Sequence, residues 1–90
     1  MTDREDLLAS MHDHLAATEE RPLATDANRW LGEAQAIAAD LAESDLDDDT
    51  VQNRTEKVLD LLAEVEETGD EEADEHVAAA RRAAERVRQL

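Results

Sequence analysis

Asp45, Asp47 and Asp49 alternate along the chain, and Glu56 follows seven residues after Asp49. These are positions 1, 3, 5 and 12 of a twelve-residue calcium loop, in which alternate carboxylates wrap a hard cation. The pattern breaks at position 6, where the sharp turn demands glycine and the chain has Thr50. It breaks again at position 8, where Gln52 stands in place of an apolar residue. With 25 acidic residues in the chain, such spacing also arises easily by chance. The same stretch carries signals for a helix start. Asp47 fits an N-cap, with Leu46 and Val51 placed to pack across it as a hydrophobic staple. Asp48 and Asp49 then fall in the first turn, at the positive end of the helix dipole. A capped turn between helices is the primary reading of Asp45–Glu56, and divalent-cation binding of the calcium type is the alternative.

Three histidines are the other metal-capable groups. His12 and His14 are two apart, so on a helix they point about 200° away from each other and do not converge on one ion. His76 stands alone near the start of the last helical segment. Di-iron bundles use Glu-x-x-His pairs, and the residues three before the histidines are Ala9, Met11 and Ala73. No metal ligand set and no cofactor are expected. Glu64 with Glu67, and Glu72 with Glu75, repeat the Glu-x-x-Glu pairs with which all-helical nucleotide pyrophosphatases hold magnesium. Those enzymes need a second aligned acidic pair and basic residues for phosphate, and Lys57 is the chain's single lysine. A magnesium-dependent phosphohydrolase is thus a further alternative. Ser10 and Ser44 sit in no nucleophile motif, cysteine is absent, and there is no glycine-rich phosphate loop. No catalytic residue is expected, and the chain reads as non-enzymatic.

Trp30 is the one aromatic residue. On a helix face it belongs to the core. Tryptophan is also a favoured interface anchor, and beside Leu23 and Leu31 it would seat a partner. Trp30 and Leu31 are the candidate binding residues.

Four helical segments must position these groups, each showing apolar residues at spacings of three and four. The first covers about 3–20, with Leu7, Leu8, Met11 and Leu15 on its face. A Thr2-x-x-Glu5 capping box starts it, and Arg21-Pro22 ends it. The second covers 27–43, capped by Thr25 or Asp26. Its stripe is Ala27, Trp30, Ala34, Ile37 and Leu41, widened by Leu31 and Ala38. Gly32 interrupts it, either because another backbone approaches or because the position is simply tolerated. The third covers 48–67, with Val51, Thr55, Val58, Leu62 and Val65 flanked by Leu59 and Leu61, and Gly69 is placed to stop it. The fourth covers 71–89 with Asp70 as cap. Its contact face, Ala73, Val77, Ala80, Ala84 and Val87, is mostly alanine. Four helices with short connections predict an all-α, antiparallel up-down four-helix bundle, a single domain over residues 1–90.

The net charge is −16, from 25 acidic and 9 basic residues. Residues 1–75 hold 24 acidic and 5 basic side chains, a balance of −19. Residues 76–90 hold one acidic and four basic, a balance of +3. Arginines at the end of the last helix suit its dipole, and the acidic remainder argues against nucleic acid as a partner. No apolar run approaches the ~18 residues of a membrane helix. The opening MTDREDLL lacks the basic-then-apolar order of a secretory signal, so a cytoplasmic location is expected. Disorder is excluded because the apolar residues are patterned. Lysine depletion, abundant alanine and a heavy excess of Asp and Glu suit molar salt, where repulsion is screened. In this the whole chain resembles the small uncharacterised acidic helical proteins of halophilic archaea. The resemblance rests on composition and helix pattern and carries no functional residue with it. The expected role is a halophile-adapted module for protein interaction or self-association, with a protein partner or a homodimer.

Overall fold

Aspartates begin three of the four helices. Asp3, Asp47 and Asp70 each hold extended backbone and accept a hydrogen bond from the amide three residues on, Asp6, Thr50 and Ala73. Each satisfies one of the four amides that a helix start leaves free. The structure, a computed structural model, describes residues 3–19, 21, 23–65 and 67–90. Its helices are α1 (Arg4–Thr18), α2 (Thr25–Glu43), α3 (Asp48–Ala63) and α4 (Glu71–Arg88).

Each helix packs on two neighbours, in the order α1, α2, α3, α4 and back to α1, with the most extensive contact between α1 and α4. Arg21, just past α1, pairs with Asp70 at the start of α4. Arg4, at the start of α1, pairs with Asp48 at the start of α3. Those pairings place alternate helix ends together, which is the up-down topology expected. The principal extents, 35 × 23 × 20 Å, are those of a short bundle. Among the described residues there is no strand, and no helix is long and apolar enough to cross a membrane.

The predicted stripes meet in one core. Met11, Leu15, Leu31, Val58, Leu62 and Val87 are its largest sealed apolar side chains. On α4 the core residues are Ala80, Ala83 and Ala84 with Val77 and Val87, and small side chains let α1 come close. Trp30 and Ile37, expected on the α2 stripe, are only partly buried and pack against the core edge. Leu46 likewise packs on the core, while Val51 is buried one turn into α3, the placement a staple requires.

Several boundaries differ from expectation. Asp3 caps α1, and Thr2 lies outside the described residues. Helix α1 stops at Thr18, and Glu20 and Pro22 likewise lie outside them. Neither Thr25 nor Asp26 caps α2. The helix begins at Thr25, and the residue before it, Ala24, makes no side-chain cap; its amide donates instead to the Thr68 carbonyl at 2.8 Å.

Helix α3 ends four residues early. Glu64 donates to the Leu61 carbonyl and Val65 to the Leu62 carbonyl, each at 3.1 Å, so the last turn tightens to three-residue bonds. Val65 still reaches the core from beyond the helix. Gly69 does not stop α3. It takes φ +85° immediately before the Asp70 cap, a backbone that residues with a side chain rarely adopt. Gly32 is exposed, and nothing among the described residues lies within 4 Å of where its Cβ would be, so none of their backbone approaches it and the position is simply tolerated.

Candidate protein-interaction surface

Leu59 flanks the buried stripe of α3, so packing of α3 on α4 leaves it half-buried. Leu59, Ala63 and Val65 form the apolar floor of a groove of about 950 Å³ between these two helices. Its other wall comes from α4: Arg81, Glu85, Arg88 and Gln89. Arg81 donates at 2.9 Å to the Leu62 carbonyl, which also accepts the Val65 amide in the last turn of α3. That bond fixes the guanidinium at the groove's edge. Arg88 lies 3.8 Å from Glu56, both side chains more than half exposed. The groove therefore offers an apolar floor under a cationic rim, in a chain whose other segments are strongly acidic.

Elsewhere the predicted site residues are dispersed. Leu31 is 2% exposed and belongs to the core, so it offers no surface to a partner. Trp30 is half-buried, and the guanidinium of Arg29 sits 4.9 Å from its ring centroid, a cation–π contact. The residues proposed for calcium do not converge. Asp47 spends a carboxylate oxygen on the Thr50 amide at 2.8 Å. That bond holds its carboxyl below the usual carboxylate range. Asp45 is exposed in the loop. Asp49 and Glu56 stand on the same helix about 10 Å apart along its axis. The helix starts inside what would be the loop, as the capping signals imply. Glu64 and Glu67 are not on a common helix, since α3 has ended. Glu72 pairs with Arg21 at 3.0 Å. Among the described residues, no group of three or more His, Asp or Glu side chains is arranged to hold a metal ion.

Two features escaped the sequence reading. His76 is not alone: its Nδ1 lies 2.9 Å from Nδ1 of His14, across the α1–α4 seam. Thr68 is fully buried. Its amide donates to Asp74 at 2.8 Å. Its hydroxyl lies 2.8 Å from both the Asp74 carboxylate and the Asp70 carbonyl. Beside it Asp70 accepts two bonds from Arg21, at 2.9 and 3.2 Å. Those bonds, with the one from the Ala73 amide, hold the Asp70 carboxyl below its usual range, and the Asp70 bonds push Arg21 up.

A family model matches residues 7–90, from the second turn of α1 to the last residue. The chain belongs to the family described as Domain of unknown function (DUF8152). The DUF8152 match takes in both walls of the α3–α4 groove and both histidines of the seam. No curated protein and no solved structure matches the chain.

Proposed function

We propose that the protein is a non-enzymatic self-association module of a salt-adapted cytoplasm, in which the α3–α4 groove of one copy takes an acidic helix of another. The observation that carries this reading is the groove's apolar floor under the Arg81 and Arg88 rim, on a chain of net charge −16. Two such chains repel almost everywhere. Residues 76–90, with a balance of +3, are the place where one copy attracts the acidic surface of the next. Molar salt weakens that attraction along with the repulsion, so the apolar floor supplies most of the contact energy. The excess of 25 acidic over 9 basic residues supports the salt-adapted habitat in this reading.

Sedimentation in molar potassium chloride over a wide concentration range tests the reading. The mass should rise above the monomer with concentration; Leu59→Asp should return the chain to monomer, and Arg88→Glu should weaken the association, each with helicity unchanged. A chain that stays monomeric at every concentration, or that associates equally well with both substitutions, removes it.

A further inference from the structure

We propose that His14 and His76 form a two-imidazole site for a divalent transition-metal ion of copper or nickel type, which ties α1 to α4. The two histidines are 62 residues apart in sequence and face each other across the bundle's most extensive helix contact. Their ring centroids are 5.2 Å apart and the ring planes are inclined at 39°. With both rings neutral, one Nδ1 donates and the other accepts; which does so depends on the tautomers.

The same separation suits an ion once both rings carry their proton on Nε2, which leaves both Nδ1 lone pairs free. Imidazole nitrogen binds first-row divalent ions at about 2.0–2.1 Å. Two nitrogens held 2.9 Å apart then subtend about 90° at an ion with those bond lengths. This is the angle between neighbouring ligands in the tetragonal geometry that Cu²⁺ and Ni²⁺ adopt with nitrogen and oxygen donors. Tetrahedral zinc would need the rings to spread. Both histidines are half-buried, so two protein ligands are fixed and the remaining positions open to water. Glu72, one turn before His76, is held by Arg21 at 3.0 Å and is not counted as a ligand. Imidazole also separates these ions from magnesium and calcium, which prefer the oxygen donors abundant elsewhere on the chain. An ion bound only by the folded bundle stabilises it by mass action.

Thermal melts of the full chain in molar potassium chloride give the first readout. Ni²⁺ should raise Tm, while Mg²⁺ and Ca²⁺ at the same concentration should not. His14→Ala and His76→Ala should each lose the nickel effect. His12→Ala should keep it, because on α1 its position lies about 200° around the helix from His14. Absence of a nickel shift in the wild-type chain, or its survival in either seam variant, overturns the site. The second readout needs no variant to fold. Electron paramagnetic resonance of the wild-type chain with one equivalent of Cu²⁺ should show coupling to two nitrogens. A spectrum of oxygen ligands alone overturns the proposal.

Discussion

Thr55 occupies the centre of the α3 stripe with no exposed surface, and among the described residues its hydroxyl oxygen has no hydrogen-bond partner. A buried hydroxyl without a partner forfeits its bonds to water and costs about 1–3 kcal/mol. Thr55→Val replaces the hydroxyl with a methyl of similar size. The two residues have nearly equal helix propensity, so the backbone term cancels. The substitution should therefore stabilise the bundle by about 1 kcal/mol, the low end of the desolvation cost. For a domain of this length that corresponds to a rise of about 4–8 °C in Tm. Thr18 supplies the internal contrast. It is equally buried, but its hydroxyl donates at 2.6 Å to the Leu15 carbonyl. Thr18→Val breaks that bond and should destabilise by about 1 kcal/mol. The assay is thermal and urea denaturation followed by circular dichroism in molar potassium chloride. Opposite signs for the two substitutions support the reasoning. A Thr55→Val chain no more stable than wild type would refute it, since the hydroxyl would then have a partner in solution.

The two glycines should respond in opposite directions in the same denaturation assay. Gly32→Ala, exposed and unobstructed within α2, should stabilise by about 1 kcal/mol. Gly69→Ala forces a side chain into φ +85° and should cost about 1–2 kcal/mol. Asp70 titrates below the ordinary carboxylate value because Arg21 and the Ala73 amide bind its charged form. Its contribution is complete above about pH 4 and is lost as pH falls through the lower native value. In melts at constant molar salt, the stability gap between wild type and Asp70→Asn should therefore close on acidification. A gap that stays constant or widens as pH falls would contradict that linkage. Across a salt titration at neutral pH, Tm and helicity should rise steeply, because the Debye length shrinks from about 10 Å at 0.1 M to about 3 Å at 1 M. A melt insensitive to salt would remove the argument for a salt-adapted surface.

Helices α1 and α4 were legible because Leu8, Met11 and Leu15, and Val77, Ala80, Ala84 and Val87, repeat at helical spacing, and all of them are buried. The caps at Asp47 and Asp70 were legible because capping is local chemistry. The end of α3 was not. Val65 continues the apolar period and glutamates favour helix, so local signals extend the helix. Contacts remote in sequence meet the chain there: Arg81 joins the Val65 amide at the Leu62 carbonyl, and Asp74 and Ala24 fix Thr68. The His14–His76 pair was hidden for a related reason. Spacing within one helix says nothing about a neighbour, although an antiparallel register puts His14, four residues before the end of α1, level with His76, five residues after the start of α4. The groove depended on which flank of α3 packing would leave open, and Leu59 beside its stripe was the only hint.

The two ends of the bundle carry the acidic load differently, and this bears on how the fold meets salt. At the end that joins α1 to α2 and α3 to α4, carboxylates serve as acceptors within a partly buried network. Asp74 binds Thr68, Asp70 binds Arg21 and the Ala73 amide, and the Thr68 carbonyl binds Ala24. Hydrogen bonds of this kind are screened much less than exposed charge pairs. At the opposite end, Arg88 meets Glu56 as a surface pair, and Arg4 meets a largely exposed Asp48. Such pairs contribute about 0–1 kcal/mol each and fade with salt. The attractive contacts that salt weakens are thus few and individually small. The repulsion it weakens involves 25 carboxylates against 9 basic groups. Raising salt therefore removes more repulsion than attraction, while the alanine-rich core and the Thr68 network are left nearly intact.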